Sequence, residues 1–412
     1  MKHFSWTLLG LYWIGLTTAW CRFDRPIPYA TQHSQTVAQA NNTFAFDLYA
    51  RVHNTNGNVF YSPSSLSTAL AMTYGGARGT TAQEMAKVLH FSLAPEQLHP
   101  AMAQWSQQLI TPSKAGNYQL SLANAIWLQS GAPFEQAYLD TMQKYYGTSL
   151  QLVNFKTQFE QARLSINAWV AERTEKKILN LIKPGMLSDE TRLVLTNALY
   201  FLSDWADPFE KNATYPQDFH LQDGQKMKVD MMHQTQPMQY METSDVQVLE
   251  KDYKGNDLSM VFILPKKKGA LSQLSATWNN TVYEQWVSKL QTRKVEVCLP
   301  KFTFNTEYEM SKVLAAMGMP LAFSDQADFS GISRSMPLTI SHVVHQAFVR
   351  VDEKGTEAAA ATAVIMKEVS AFVEPPLVFN ADHPFMVILR DKRSGSILFM
   401  GCVKEPAASQ GK

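Results

Sequence analysis

Apolar positions recur at helical spacing through the first part of the chain and in alternation or unbroken runs through the second. Asn41 to Val52 carries Phe44, Phe46, Leu48 and Ala50, and Ser65 to Tyr74 is a compact apolar helix that starts after Ser62-Pro63-Ser64. Helical patterning continues over Ala82 to Leu89 and Leu98 to Ile110. Phe159 to Leu181 carries Ile166, Trp169, Val170, Ile178 and Leu181 at helical spacing until Lys183-Pro184-Gly185 breaks it. Strand signals then dominate, over Leu193 to Phe201, Met227 to Met232, Leu258 to Leu264, Val295 to Phe304 and Phe385 to Leu389. The unbroken run Leu193-Val194-Leu195 predicts a strand buried on both faces. The pattern is that of an α+β fold with helices concentrated early and sheets late. No fixed-period repeat or low-complexity block divides residues 41–405, which predicts one large mixed domain between a polar lead-in at 20–40 and a short tail at 406–412.

Composition narrows the function classes. With 412 residues, 45% of them hydrophobic and 18% charged, the chain is too apolar for a disordered one. Thirty-seven Lys and Arg against thirty-six Asp and Glu leave a formal charge of +1, so no global field points to nucleic acid or an acidic polymer. The N-terminus has the order of a secretory signal over residues 1–19: Lys2 and His3, an apolar run from Phe4 to Leu16, then Thr17, Thr18 and Ala19. That run is shorter than the ~20 residues that cross a bilayer. Export is therefore expected, to a secreted or extracellular location, or in a bacterium to the periplasm or a lipid anchor at Cys21. Cys298 and Cys402 read as buried strand residues, and a bridge between them stays open. Sequons at Asn41, Asn212 and Asn279 would carry glycans in a eukaryotic host.

The usual catalytic motifs do not occur: no Gly-x-Ser-x-Gly elbow, His-Glu-x-x-His pair, phosphate loop or dinucleotide fingerprint. His342 and His345 are three apart in a strand-like segment, which sends them to opposite faces. No metal, no cofactor and no enzymatic activity are expected.

The most unusual stretch runs from Val351 to Met366 and contains Glu353-Lys354-Gly355-Thr356-Glu357-Ala358-Ala359-Ala360-Ala361-Thr362. Four alanines favour a helix, whereas Gly355 before them and Thr362, Val364 and Ile365 after them favour extended chain. Read with period two, Thr356, Ala358, Ala360, Thr362 and Val364 form one small, uncharged face able to enter a sheet, with Glu357 on the other. Gly355 is expected to supply a sharp backbone pivot.

This segment resembles the reactive-loop hinge of the serpins. Asn58-Val59-Phe60-Tyr61-Ser62-Pro63-Ser64-Ser65-Leu66, Thr73-Tyr74-Gly75-Gly76-Ala77-Arg78-Gly79-Thr80-Thr81, Ile166-Asn167-Ala168-Trp169-Val170, Leu195-Thr196-Asn197-Ala198-Leu199-Tyr200-Phe201, Leu299-Pro300-Lys301-Phe302, Ala327-Asp328-Phe329-Ser330-Gly331-Ile332 and Asp382-His383-Pro384-Phe385 resemble serpin signatures too, in the family's order. The resemblance implies three β-sheets, about eight or nine helices and an exposed reactive-centre loop at about 353–376. It also implies a suicide-substrate inhibitor of serine proteases, whose cleaved loop enters the main sheet as a new strand.

Carried over by position, the hinge is Glu353, Gly355, Thr356, Glu357, Ala358, Ala359, Ala360, Ala361 and Thr362. Ser62, Ser65, Asn197 and His345 match the polar cluster beneath the sheet where strands part. Trp205, Lys301 and Glu353 match the point where the loop first enters, with Lys301 and Glu353 as an ion pair. The family's loop length sets the reactive bond at Val369–Ser370 and implies an elastase-like target. Lys367, Glu368 or Phe372 would instead recruit a trypsin-like, glutamate-selective or chymotrypsin-like enzyme, and a papain-like cysteine protease is a further partner. Between Pro95 and Lys114 the only basic residue is Lys114, so no glycosaminoglycan-activated helix is expected. A monomer is implied, with loop-sheet polymerisation as its hazard. The alternative is a non-inhibitory carrier or binding protein, against which the small residues Thr356, Ala358 and Ala360 weigh.

Overall fold

The computed structural model describes residues 32–53, 57–114, 118–147, 150–356 and 375–406. Among these residues the helices are α1 (Gln32–Val52), α2 (Pro63–Tyr74), α3 (Gly79–Val88), α4 (Pro95–Ile110), α5 (Gln136–Tyr146), α6 (Phe155–Arg173), α7 (Leu271–Ser275), α8 (Asn280–Ser288) and α9 (Ser311–Met317). The strands are β1 (Val59–Tyr61), β2 (Tyr118–Gln129), β3 (Leu150–Val153), β4 (Leu193–Asp204), β5 (Thr214–His220), β6 (Lys226–Glu242), β7 (Val246–Asp252), β8 (Leu258–Pro265), β9 (Gln291–Pro300), β10 (Phe302–Glu309), β11 (His342–Val351), β12 (Gly355–Thr356), β13 (Leu377–Asn380), β14 (Phe385–Asp391) and β15 (Ile397–Val403).

The smaller sheet runs β10-β11-β12-β4-β2-β3, with β11 also paired directly to β4. The larger runs β1-β15-β14-β8-β7-β6-β9-β13, with β5 on β6. Two of the three expected sheets are thus joined into one ladder, because the 17-residue β6 serves both. Its first part pairs with β5, its last four residues with β7, and β9 spans the stretch between.

The smaller sheet is covered on both faces, as the run Leu193-Val194-Leu195 predicts. Trp127, Val194, Ala198 and Val344 pack under Ile166 and Val170 of α6. Ile126, Leu195 and Val343 point the other way, into the core shared with α2 and the larger sheet. Ser62 caps α2 by accepting from Ser65 N at 3.1 Å, and Pro63 opens the first turn. Every residue of α2 except Tyr74 is buried, since the helix lies between β2 and β4 on one side and β15 on the other.

Several expectations are corrected. The chain expected as a lead-in up to residue 40 is helical from Gln32, with Val37, Ala38 and Ala40 buried. The expected Phe159–Leu181 helix ends at Arg173, where Glu175 and Lys176 adopt φ of 48° and 61°. Asn167 then anchors the returning chain, accepting from Ile182 N at 2.8 Å and donating to its carbonyl at 2.9 Å. The strand expected over Val295–Phe304 is two: Lys301 N–H bonds Asp230 O at 2.8 Å, the end of the β6–β9 register, and from Phe302 the chain pairs with β11 instead, so β9 and β10 belong to different sheets. Asn41 is only 1% exposed and donates to Ile397 O at 2.9 Å, which leaves no room for a glycan; Asn212 and Asn279 are exposed. Cys298 and Cys402 are unbridged buried thiols in separate parts of the core, and burial pushes Cys298 up to about 11. Among the described residues no helix is long and apolar enough to cross a membrane.

Candidate functional site

The smaller sheet contains a seam. β11 and β4 run parallel and pair residue by residue from His342 and Val194 to Ala347 and Leu199. Beyond Ala347 they separate, and the two residues of β12 lie in the wedge, antiparallel to both: Thr356 opposes Val351 and Ser203, and Gly355 opposes Asp204. Partners across the seam differ by 148 in residue number both below the wedge (His345 and Asn197) and across it (Val351 and Ser203). The register is therefore continuous, and a third strand needs only lateral parting of β11 from β4, with no sliding.

The wedge is tightly built. A Cβ on Gly355 would lie 2.1 Å from Ser203 O and 2.8 Å from Asp204 Cα. Gly355 is not among the glycines with positive φ, so close backbone approach, and not the expected pivot, is what requires glycine here. Thr356 is buried, its Oγ1 2.7 Å from the Tyr253 hydroxyl, and Tyr253 stacks on Trp205 with centroids 4.3 Å apart. Trp205 donates from Nε1 to Asp352 O at 3.1 Å and from its backbone N–H to Lys354 O at 2.6 Å, while Phe209 N donates to Glu353 O at 2.7 Å. Three consecutive carbonyls of the hinge approach are thus held by one aromatic corner. Lys301 Nζ lies 3.1 Å from each Glu353 carboxylate oxygen, the ion pair the sequence led us to expect. Burial pushes the Glu353 carboxyl up, but a backbone hydrogen bond and the Lys301 charge together hold it below its ordinary value.

Beneath this corner lies Lys251, 3% exposed. Its Nζ donates to Asp207 O at 2.6 Å and Gln234 Oε1 at 2.9 Å, and lies 4.6 Å from the Phe209 ring centroid and 5.4 Å from that of Trp205. Burial pushes the ammonium down to about 7 against the raising influence of Asp207 and Asp252.

Lower in the seam, polar groups gather where α2 meets the sheet. Full burial pushes His345 down to about 3, so the ring is neutral. Its Nε2 accepts from Ser62 N at 3.0 Å, which leaves the proton on Nδ1, and Nδ1 has no partner among the described residues. Ser65 Oγ donates to Asn124 Oδ1 at 2.5 Å and lies 3.2 Å from Asn197 Oδ1; Asn197 Nδ2 is likewise unpartnered among the described residues. Ser62, Ser65, Asn197 and His345 are thus brought together, with Asn124 as a fifth member that the sequence reading missed. Its signal was available: Asn124 interrupts the alternating face of Leu120, Leu122, Ile126 and Leu128. Tyr253, Phe209 and Lys251 were missed as well.

Glu357, Ala358, Ala359, Ala360, Ala361 and Thr362 of the hinge, the Val369–Ser370 bond, and Lys367, Glu368 and Phe372 lie outside the described residues.

Known proteins resemble this chain in sequence and fold. The family model for Serpin (serine protease inhibitor) matches residues 39–406. A serpin-like protein of Thermococcus kodakarensis is 40% identical over 371 residues, covering 90% of this chain and 86% of that protein. The leukocyte elastase inhibitor of Xenopus laevis is 37% identical over 381 residues, covering 90% of this chain and 100% of the relative. The solved structure of human thyroxine-binding globulin with bound thyroxine matches with a TM-score of 0.82 at 29% identity, over 91% of this chain and 100% of the other. With a match that spans both sheets and the seam between β11 and β4, the chain belongs to the serpin family.

Proposed function

We propose that the protein is an exported suicide-substrate inhibitor of serine proteases, with an elastase-like target and Val369–Ser370 as its reactive bond. The family's members are generally inhibitors and not enzymes. The observation that carries the reading is the continuous register of the seam. Extended from Thr356, an entering strand would set Ala358 between Val349 and Phe201, Ala360 between Ala347 and Leu199, and Val364 between Val343 and Leu195. Those neighbours face the core, where small or β-branched residues fit and charged ones would not.

In the same register Thr362 enters between His345 and Asn197. Its hydroxyl oxygen has two lone pairs, and the two donors there without a partner among the described residues are His345 Nδ1–H and Asn197 Nδ2. A buried unsatisfied donor costs about 1–3 kcal/mol, so the sheet before insertion holds a local deficit that the entering strand would remove.

In this mechanism the protease's serine oxygen attacks the Val369 carbonyl, the bond to Ser370 breaks, and the Ser370 amine leaves with a proton. The loop, now free at one end but esterified to the enzyme, enters the seam and distorts the enzyme before water can hydrolyse the ester. The inhibitor is consumed. A thiol of a papain-like protease would follow the same course. The same seam would accept the loop of a second copy, which makes polymerisation the hazard of a protein that works as a monomer.

The second reading, a non-inhibitory carrier, draws on the likeness to thyroxine-binding globulin. Incubation with elastase-, trypsin- and chymotrypsin-like proteases separates the two. The inhibitor reading expects an SDS-stable complex with the elastase-like enzyme and a released peptide beginning at Ser370. Cleavage by every enzyme without any complex would favour the carrier.

A further inference from the structure

At the open end of the seam lies a cavity of about 270 Å³ lined by Lys211, Lys301, Arg350, Asp352, Glu353 and Lys354. Its walls carry two more cations than carboxylates. Glu353 neutralises Lys301 at 3.1 Å and Asp352 neutralises Arg350 at 3.3 Å. Lys211 and Lys354 have no side-chain partner among the described residues. The cations come from four separate places: the 3-10 turn Lys211–Ala213, the corner between β9 and β10, the end of β11, and the turn before β12. With Lys301 and Arg350 compensated, the two remaining ammonium groups leave the concavity a net positive charge that a bound anion would offset.

We propose that this cavity binds a small oligoanion bearing phosphate or sulfate groups, and that the bound anion holds the hinge in its uninserted position. Arg350 offers a planar fork for an oxyanion, and Lys211 and Lys354 act as point charges on either side. The volume lies at the lower edge of small-molecule pockets, ~300 Å³, which suits a pyrophosphate-sized ligand better than a polymer. Lys354 belongs to the hinge approach and Lys211 to the fixed frame, so one anion would tie the two together.

The coupling to insertion rests on the inhibitory reading. The register that places Ala358 beside Val349 places Glu357 opposite Arg350. An entering loop would therefore bring another carboxylate to the rim and compete with the anion. By reciprocity, an anion that binds the uninserted state more tightly must oppose insertion.

Calorimetric titration of the full-length protein with pyrophosphate and, separately, with a sulfated heparin disaccharide tests this. Expected is saturable one-to-one binding of at least one of them, weakening with salt. Affinity should fall about ten-fold or more in the Lys211→Gln, Lys354→Gln double variant, which changes only side chains without partners among the described residues. It should also fall about five-fold or more in loop-nicked protein, the lower end of usual coupling strengths. The tighter of the two ligands identifies the source of the anion. No saturable binding, or unchanged binding by the double variant, overturns the site. Equal affinity before and after nicking overturns the coupling when the nicked protein has gained thermal stability. A nicked protein without that gain refutes loop insertion itself, and the coupling with it.

Discussion

Lys251→Met should stabilise the protein at acid pH and lose that advantage in alkali. Lys251 is buried without an ion-pair partner among the described residues, its ammonium capped by one carbonyl, one amide oxygen and two ring faces. Its folded value of about 7 lies below the unfolded one. Below pH 7 both states are protonated and the full penalty of the buried charge is present. Between the two values the unfolded state holds the extra proton, so stability rises with pH. The difference corresponds to about 5 kcal/mol of penalty at pH 6.

Methionine removes the charge and keeps the apolar stem, but leaves Asp207 O and Gln234 Oε1 without their donor, a loss of about 1 kcal/mol each. The net gain at pH 6 is then about 3 kcal/mol, or roughly 4 °C in Tm for a chain of this size. At pH 9.5 the parent lysine is already neutral, so the gain should vanish or change sign. Thermal unfolding of both proteins followed by circular dichroism at pH 6, 7.5 and 9.5 measures this. Because Asp207, Glu250 and Asp252 are common to both proteins, the difference isolates Lys251. A Tm difference that is the same at pH 6 and pH 9.5 would refute the reasoning.

Thr356→Arg places a charge where Oγ1 now meets the Tyr253 hydroxyl inside the wedge, and should turn inhibition into turnover of the loop as a substrate. An unchanged stoichiometry of inhibition would count against insertion through this wedge. Glu353→Gln leaves Lys301 without its carboxylate and should lower stability by about 1 kcal/mol while speeding polymer formation on mild heating, read on native gels. Polymerisation at the parental rate would separate Glu353 from control of loop entry. Thr362→Val removes the acceptor proposed for His345 Nδ1 and Asn197 Nδ2, so it should lower the Tm of the loop-nicked protein, by the equivalent of about 1–3 kcal/mol, and leave the intact protein unchanged. Equal effects on both forms would place Thr362 elsewhere.

The sequence made some parts of this molecule legible and hid others for identifiable reasons. The run Leu193-Val194-Leu195 announced a strand buried on both faces, and α6 and α2 cover it. Ser62 and Pro63 marked the start of α2 correctly because capping is local chemistry. The break at Lys301 was invisible, since the pairing partners that change there, β6 before it and β11 after it, are both far away in sequence. Gly355 was read as a pivot, whereas its neighbours Ser203 and Asp204, known only from the fold, show that it serves close packing. Lys251 looks like an ordinary strand lysine until Trp205 and Phe209 close over it. The offset of 148 that unites the seam is likewise a property of pairing across distant strands, which no local pattern records.

Inhibition by the proposed route requires that the seam between β11 and β4 accept the cleaved loop. Limited nicking of the loop by a protease that is not inhibited, followed by thermal unfolding of intact and nicked protein, tests it in one comparison. Insertion predicts a rise in Tm for the nicked form far larger than the roughly 1–2 °C that ~1 kcal/mol produces in a chain of this size. Equal melting temperatures for the two forms would contradict it.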